Sequence, residues 1–185
     1  MRVIAGTAKG HTLRVPKVPG LRPTSDRARE SLFNVLAPGI EGSRVLDVFA
    51  GSGALGIEAL SRGAIEATFV ERSRRAAEVL ADNVEKCGFR SITTIIAAEW
   101  RVALRRLGGD ETRFDLALFD PPYAWDRADH CLAGLAEHSL LAEGGLAIIE
   151  HRASTELEIP DGWSLDRVLK VGDSAFSFCT GCSAS

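Results

Sequence analysis

Hydrophobic positions follow two different periods along this sequence. Between residues 44 and 150, short apolar runs such as RVLDVF at 44–49 and FDLALFD at 114–120 alternate with longer segments of helical spacing. Short apolar runs bounded by turn residues are typical of strands buried on both faces, and strands that alternate with helices form a parallel sheet. The pattern therefore predicts a doubly wound α/β domain with its ligand site at the carboxyl ends of the strands.

The body contains five predicted strands and four predicted helices. The strands are expected at 44–49, 67–71, 91–98, 114–120 and 144–150, and the helices at 54–62, 73–87, 100–107 and 126–138. Beyond them, WSLDRVLKV at 163–171 and AFSFCT at 175–180 are separated by Gly172-Asp173, which predicts a closing antiparallel hairpin. The expected sheet is mostly parallel with this hairpin at its C-terminal end.

The segment before the body follows a different pattern. Residues 2–5 and 11–15 alternate apolar and polar positions around a loop that contains glycine, which predicts a small β-hairpin. Three prolines and a glycine within 16–23 predict a stiff connector. We therefore divide the chain into an N-terminal arm at 1–23 and a main domain at 24–185.

A helix is predicted between the arm and the first strand. Thr24 or Ser25 can cap it, and Asp26 in the first turn favours the positive end of the helix dipole. The dipeptide Pro38-Gly39 is expected to end it.

Composition places the chain among ordinary globular proteins. It has 185 residues, of which 45% are hydrophobic and 25% charged, so disordered, fibrous and disulfide-scaffold classes are excluded. Its apolar runs are shorter than the roughly 18 to 20 residues that cross a bilayer. Lys9, His11 and Arg14 stand where a secretory signal needs its apolar stretch. We expect a cytoplasmic monomer without membrane contact.

Charge is distributed unevenly. The first 30 residues hold seven basic and two acidic groups and carry +5, so the remaining residues of a chain with net charge −3 carry −8. A basic arm on an acidic body indicates that the arm meets a polyanion, although a merely solvated basic hairpin fits the charge equally well.

Cysteines and histidines give no metal-binding pattern. Cys179 and Cys182 form a single C-x-x-C without a second pair, and the four histidines have no metal-ligand spacing. We expect no metal site and interpret the four cysteines as reduced thiols.

The first strand ends in a glycine-rich turn. Gly51, Gly53 and Gly56 spell G-x-G-x-x-G, and Glu71 at the end of the second strand follows Gly51 by 20 residues. Glycines at such a turn let the backbone approach a ligand, and the acid can accept hydrogen bonds from ribose hydroxyls. The pattern fits any nucleoside-binding sheet of this winding, and a tight turn without a ligand is the alternative.

The fourth strand ends in Asp120-Pro121-Pro122-Tyr123. The prolines remove two N–H donors and leave carbonyl acceptors, Asp120 adds two acceptor oxygens, and Tyr123 adds a flat ring. Acceptors beside an aromatic ring suit an amine attached to a planar ring. A rigid loop with a packed tyrosine is the alternative interpretation.

These motifs together resemble a known family. The 120–123 turn beside the DVFAGSG run at 47–53 resembles Rossmann-like S-adenosylmethionine-dependent methyltransferases that modify exocyclic amines of bases. The stretch LRPTSDRARESLFN at 21–34, preceded by MRVIAGTAKGHTL, closely resembles the bacterial 16S rRNA guanine-N2-methyltransferase family. The likeness runs from Met1 to the hairpin near Phe178, and its specific part is the Arg-Pro-Thr…Arg-Glu segment.

The resemblance implies roles for named positions. Those expected to bind S-adenosylmethionine are Asp47, Phe49, Ala50, Gly51, Ser52, Gly53, Glu71, Arg72, Ser73, Ala98, Glu99 and Asp120. The catalytic loop is expected to comprise Asp120, Pro121, Pro122 and Tyr123. Those expected to contact RNA are Lys9, Arg14, Arg22, Thr24, Arg27 and Trp125. The implied partner is 16S rRNA within a small ribosomal subunit or its assembly intermediate.

Three alternatives stay open at this point. The glycine pattern also fits a nicotinamide-dependent oxidoreductase, which leaves the 120–123 turn and the basic arm without a role. The same turn fits methylation of adenine N6 in nucleic acid or of a glutamine side chain in a protein. A non-catalytic RNA-binding module or assembly factor is the third alternative, and the presence of every cofactor-binding and amine-binding position disfavours it.

Overall fold

The computed structural model describes residues 1–16, 24–121 and 128–181, with the side chain of Ala128 excepted. Its helices are α1 (Asp26–Ile40), α2 (Ala54–Ser61), α3 (Arg74–Lys86), α4 (Trp100–Leu107) and α5 (Ala128–Glu137), and a short 3₁₀ turn spans Arg90–Ile92. Its strands are β1 (Arg44–Val48), β2 (Glu66–Val70), β3 (Thr93–Ile96), β4 (Phe114–Phe119), β5 (Leu141–Arg152), β6 (Trp163–Val171) and β7 (Ser174–Gly181).

The strands form one sheet of seven in the order β3-β2-β1-β4-β5-β7-β6. The first five are parallel to one another, and β7 runs antiparallel to both β5 and β6. This arrangement confirms the predicted α/β class, with its mostly parallel sheet and its C-terminal antiparallel hairpin.

Two hydrophobic cores lie on the two faces of the sheet. One contains apolar side chains of α1, α2 and α3, and the other contains those of α4 and α5. Neighbouring residues of a strand enter different cores, as Val45 and Leu46 of β1 do, because side chains alternate between the faces of a strand. Both faces are therefore covered, which explains the near-continuous apolar strands of the sequence.

Helix α1 begins as predicted and ends later than predicted. The Ser25 side chain accepts a hydrogen bond from the Ala28 N–H at 3.1 Å and caps the helix. The expected end at Pro38-Gly39 is wrong, since the helix continues to Ile40. Ile40 is buried in the first core, and its burial extends the last turn past the proline.

The N-terminal arm differs from a regular hairpin. Its two sides meet through a single β-bridge between Arg2 and Thr12, and turns occupy most of the intervening residues. Val3, Ala8 and Leu13 are buried in the first core, so the apolar positions that predicted strands serve to dock the arm on the body. The division of the chain at residue 23 stays a prediction.

Helix α2 is the platform on which the arm lies. The buried Glu58 carboxylate accepts hydrogen bonds from the backbone N–H groups of Ile4 and Ala5 at 2.8 and 3.1 Å. It also accepts one from Arg62 Nε at 2.8 Å, and Arg29 Nη1 lies 3.9 Å away. A buried carboxylate with this many donors fixes the position of the arm, because removing them would leave an unpaired buried charge.

The remaining differences concern the ends of strands and helices. The predicted strand at 91–98 is shorter, since a 3₁₀ turn precedes it, and β5 extends beyond the predicted 144–150 in both directions. Among the residues that the structure describes, no helix is both long and apolar enough to span a membrane.

Candidate functional site

The site lies where the strand order changes direction. Strand β1 pairs with β2 on one side and with β4 on the other. Helix α2, which follows β1, packs in the first core, whereas α5, which follows β4, packs in the second. The loops after these two strands therefore diverge to opposite faces, which opens a crevice at the carboxyl ends of the strands.

The turn after β1 has a constrained backbone. Gly51 and Gly53 adopt φ values of 56° and 79°, and Phe49 adopts φ 66°. A positive φ is rare for a bulky residue and is a mark of functional sites, where the surrounding structure holds the strain. The turn also packs closely on α3, because a Cβ atom at Gly53 would lie 2.2 Å from Leu80 Cδ1. This places the predicted cofactor-binding turn at the crevice.

The Asp47 side chain links β1 to the helix that follows this turn. Its Oδ2 accepts a hydrogen bond from the Gly56 N–H at 2.9 Å, so a β1 side chain caps the first turn of α2. Burial raises the pKa of Asp47 to about 7, and the nearby charge of Glu71 adds to the increase while the Gly56 bond opposes it. Gly56 has no space for a side chain, since a Cβ atom there would lie 2.3 Å from Phe69 Cε1.

Glu71 joins the ends of β1 and β2. One carboxylate oxygen accepts a hydrogen bond from the Gly51 N–H at 3.0 Å, and the other accepts one from the Ser73 N–H at 2.7 Å. Each carboxylate oxygen has two lone pairs, so both can accept a further hydrogen bond. Ser73 also caps α3 by accepting a hydrogen bond from the Ala76 N–H.

The loop after β3 completes the rim next to β2. Ala98 is half-buried against the second core, and Arg72 is exposed. The Glu99 carboxylate caps α4 by accepting hydrogen bonds from the Arg101 and Val102 N–H groups at 2.9 and 3.4 Å. The carboxylate of Glu99, which is predicted to contact adenine, thus already caps α4. The adenine contact stays a prediction.

Asp120 belongs to a group of three side chains. Thr24 Oγ1 lies 3.1 Å from Asp120 Oδ2 and 2.6 Å from Glu150 Oε2. Phe119 pairs with Ile149 across β4 and β5, so the next residues, Asp120 and Glu150, are neighbours. Burial and the charge of Glu150 raise the pKa of Asp120 well above its usual range. Burial also raises the pKa of Glu150.

The predicted RNA-contacting residues occupy different environments. Lys9, Arg14 and Arg27 are exposed, and Arg14 forms an ion pair of 2.7 Å with Asp82. Thr24 is buried in the group with Asp120 and Glu150 instead, so its hydroxyl faces carboxyl groups and not solvent. The predicted positions that lie outside the described residues are Arg22, Pro122, Tyr123, Trp125 and Cys182.

Three residues of the site were missed by sequence reasoning. Glu150 could have been found, because an acid ends the apolar strand that neighbours the one carrying Asp120. Trp100 lies beside the glycine turn, with its ring 6.1 Å from that of Phe49. Asn83 is buried and donates to the Ser52 carbonyl at 2.8 Å and to the Arg14 carbonyl at 2.9 Å. The sequence shows both only as members of helices.

The family model that matches this chain is described as Conserved hypothetical protein 95, and it covers residues 1–180. The chain belongs to this family. Several curated relatives carry the name Ribosomal RNA small subunit methyltransferase D. The one from Escherichia coli K12 is 38% identical, and the match covers 95% of this chain and 87% of that protein. The one from Haemophilus influenzae is 36% identical, with 89% and 86% covered. The family resemblance stated from the sequence is confirmed.

Solved structures of family members and of more distant proteins have the same fold. The Escherichia coli structure named "Putative methyltransferase yhhF" has a TM-score of 0.83 and 34% identity, and the match covers 100% of this chain and 99% of that one. SMU.776, solved in complex with SAH, has a TM-score of 0.68 and 15% identity, with 87% and 50% covered, and this likeness shows the fold alone. The relatives favour the methyltransferase interpretation over the nicotinamide-dependent one.

The chemistry of this crevice fits S-adenosylmethionine. The Glu71 carboxylate can accept two further hydrogen bonds, and the half-buried Phe49 ring lies in the neighbouring turn against the buried Trp100. Two further acids lie near Asp120, since the charges of Glu150 and Asp47 both raise the pKa of Asp120. A crevice of this polarity favours a positively charged ligand, and a sulfonium is such a ligand.

Proposed function

We propose that this protein transfers a methyl group from S-adenosylmethionine to the exocyclic N2 amine of a guanine in 16S rRNA. The observation that carries the proposal is the position of Asp120. It directly follows β4, the strand that pairs with β1 and its glycine turn, in a chain whose relatives are named small-subunit rRNA methyltransferases. The proposed cofactor and amine sites would therefore adjoin each other.

The cofactor is assigned to the turns after β1, β2 and β3. Glu71 would accept hydrogen bonds from the ribose hydroxyls, and the backbone of Gly51 to Gly53 would allow close approach. When bound, S-adenosylmethionine supplies a methyl group on a positively charged sulfur. The burial of Asp47 and its bond to α2 support a role in holding the turn in shape.

Asp120 would act on the amine. The N2 lone pair of guanine is delocalised into the ring, so the amine is a weak nucleophile. An ionised Asp120 and the Pro121 carbonyl would accept hydrogen bonds from its two N–H groups and orient the lone pair toward the cofactor. The amine becomes acidic only as the new N–C bond forms and the S–CH₃ bond breaks to leave a neutral thioether, and one of its protons then passes to Asp120. Positioning of this kind can contribute roughly 7 to 11 kcal/mol.

The basic arm would bind the RNA phosphates. Lys9, Arg14 and Arg27 are exposed, and phosphate contacts orient a protein on RNA without reading its sequence. The target base must leave its stack to reach Asp120, at a cost of a few kcal/mol. We propose a monomeric cytoplasmic enzyme that acts on a small subunit or its assembly intermediate. The rRNA in the names of its relatives supports the proposed location.

The decisive experiment tests Asp120. Asp120→Ala removes the acceptor for the amine, so methyl transfer to unmodified small subunits should fall by at least about 10²-fold. Affinity for S-adenosylmethionine, measured by calorimetry, should stay close to that of the wild type. The matched control is Asp161→Ala, which removes an exposed aspartate from the loop before β6. Near-normal turnover of Asp120→Ala would contradict the proposed role.

The methylated atom is identified in the same assay. Labelled S-adenosylmethionine and unmodified small subunits, followed by mapping of the labelled base, should give one guanine methylated at N2. Label on adenine N6, or on a glutamine of a ribosomal protein, would favour the corresponding alternative substrate and contradict the guanine assignment.

A further inference from the structure

Asp120, Thr24 and Glu150 form a group that contains two acids. The proposed reaction uses Asp120 and gives no role to Glu150. Glu150 is 4% exposed, ends the apolar part of β5, and lies beside Asp120 through the register of the two strands. Thr24 lies between the two acids, with its single oxygen within hydrogen-bond distance of both. The three oxygens form a chain from Asp120 through Thr24 to Glu150.

Thr24 alone cannot donate both hydrogen bonds of this Asp120–Thr24–Glu150 arrangement. A hydroxyl carries one hydrogen and can donate it to only one acceptor. If both acids were ionised, one carboxylate oxygen would face a lone pair of the threonine oxygen at no more than 3.1 Å. The second hydrogen bond therefore requires a proton on one of the two carboxyl groups, which then donates to Thr24.

The difference in exposure between the two acids favours Glu150 as the carrier of that proton. Glu150 is buried whereas Asp120 is partly exposed at the crevice, and an ionised group is less stable where water is excluded. Thr24 Oγ1 lies closer to Glu150, at 2.6 Å, than to Asp120, at 3.1 Å, so Glu150 is the tighter of its two partners. With the proton on Glu150, the charge that raises the pKa of Asp120 is removed, and Asp120 ionises more readily.

We infer that Glu150 is a positioning residue for methyl transfer: held protonated, it donates to Thr24, which in turn directs its hydroxyl hydrogen to an ionised Asp120. The inference rests on the proposed function, since it gives Asp120 its charge and orientation for the amine. Thr24 thereby connects the N-terminal segment to the catalytic loop, a role different from the predicted RNA contact.

The charged and polar side chains around Asp120, Thr24 and Glu150 come from several elements. Asp47 of β1 acts on Asp120 through its charge, and Ser174 of β7 forms a hydrogen bond with Glu150. Asp26 in the first turn of α1 is paired with Arg29 at 2.7 Å. His151, the next residue of β5, binds Ser177 and the Arg152 carbonyl through its two ring nitrogens. The acids whose charges raise the pKa of Asp120 are thus Glu150 and Asp47.

Substitution separates a protonated Glu150 from an ionised one. The amide of Glu150→Gln can donate to Thr24 as the protonated acid does, so this variant should retain most of the wild-type kcat. Glu150→Ala removes the donor and should lower kcat by about 10-fold or more. Thr24→Val removes the hydroxyl and should lower kcat by about 10- to 100-fold, whereas its matched control Thr24→Ser should retain most of it. Unfolding temperatures of all four variants verify folding.

The pH profile gives a second readout that a merely structural role would not move. In the wild type, activity should rise as Asp120 ionises and fall as Glu150 loses its proton. In Glu150→Gln, the rise of activity at low pH (the acid limb) should persist. The fall of activity at high pH that Glu150 causes (the alkaline limb) should disappear, because the amide does not titrate. A Glu150→Gln variant as inactive as Asp120→Ala, or an unchanged alkaline limb, would overturn the inference.

A measurement on the free enzyme keeps the inference independent of the proposed function. Protein labelled with ¹³C at glutamate side-chain carboxyls should show one resonance that is absent in Glu150→Gln and that still belongs to a protonated carboxyl at pH 7. Titration of that resonance near the ordinary value of about 4.3 would overturn the inference. A protonated Glu150 in a protein without methyl transfer to guanine would instead contradict only the proposed function.

Discussion

Asp47 shows how one buried side chain serves both the fold and the site. It is 1% exposed and holds α2 to β1 through the Gly56 N–H. Burial raises its pKa to about 7, far above the ordinary value of an aspartate. The unfolded chain then releases the proton of Asp47 at a much lower pH than the folded protein does. Stability of the fold must therefore depend on pH through this residue.

We expect Asp47 to make the protein less stable as pH rises from about 4 to about 7. In this range the folded protein keeps the proton and the unfolded chain has lost it, so the folded state binds more protons and the free energy of unfolding falls with pH. The loss amounts to at most about 4 kcal/mol. Asp120 and Glu150, whose pKa values are also raised, act in the same direction.

The variant Asp47→Asn isolates this contribution. Asparagine can still accept the Gly56 hydrogen bond but does not titrate. Chemical unfolding of both proteins between pH 4.5 and 7.5 should show a smaller decrease for Asp47→Asn than for the wild type. Equal decreases would show that Asp47 titrates normally in the folded protein.

At the scale of elements, the arm meets the end of α2 at close range. The Thr7 N–H donates to the Ser61 carbonyl at 2.8 Å, and the Ala8 N–H donates to the Ser61 hydroxyl at 2.9 Å. A Cβ atom at Gly6 would lie 1.7 Å from the Ser61 carbonyl oxygen. Only glycine permits this approach, so the arm and the helix are fitted to each other at this position.

Two glycines of the arm form a matched pair for testing this contact. Gly6 and Gly10 have similar φ values of 79° and 86°, but a Cβ atom at Gly10 would meet nothing within 4 Å. Both alanine variants carry the strain of a positive φ, of order 1 kcal/mol or more. Gly6→Ala should lower the unfolding temperature further, because it also separates the arm from α2. Equal losses would contradict a tight arm-to-helix contact.

The elements that sequence predicted best are those fixed by local signals. Helix α4 at 100–107 and strand β6 at 163–171 were predicted with the bounds that the structure has, since turn or capping residues flank them. The end of α1 depends on the burial of Ile40, and the irregular form of the arm depends on α2. Glu150 and Asn83 acquire their partners only when distant elements pack, so no local pattern reveals them.

At the scale of the whole molecule, charge separates the arm from the body. The first 30 residues carry +5 on a chain of net charge −3. Lys9 and Arg14 lie on the arm, and the Arg14 backbone is bonded to Asn83, which also binds the Ser52 carbonyl of the glycine turn. The proposed RNA surface and the proposed cofactor turn are thus joined through one buried side chain.

We expect the double variant Lys9→Gln and Arg14→Gln to weaken RNA binding and to flatten its salt dependence. Each lost phosphate contact should reduce the slope of log affinity against log salt by up to about 1. The matched control is the double variant Arg105→Gln and Arg106→Gln, which removes the same charge from α4. Both arginines are exposed, and α4 lies on the other face of the sheet. An unchanged slope in the arm variant, or an equal change in the control, would contradict the assignment.

The docked arm has a consequence for any attempt to isolate a minimal enzyme. Cutting the chain at the predicted boundary would uncover the apolar surface now covered by Val3, Ala8 and Leu13. It would also strip Glu58 of its two backbone donors and Asn83 of the Arg14 peptide. A truncated protein of that kind would tend to aggregate before its catalysis could be assayed, so the arm is better probed by point substitutions than by deletion.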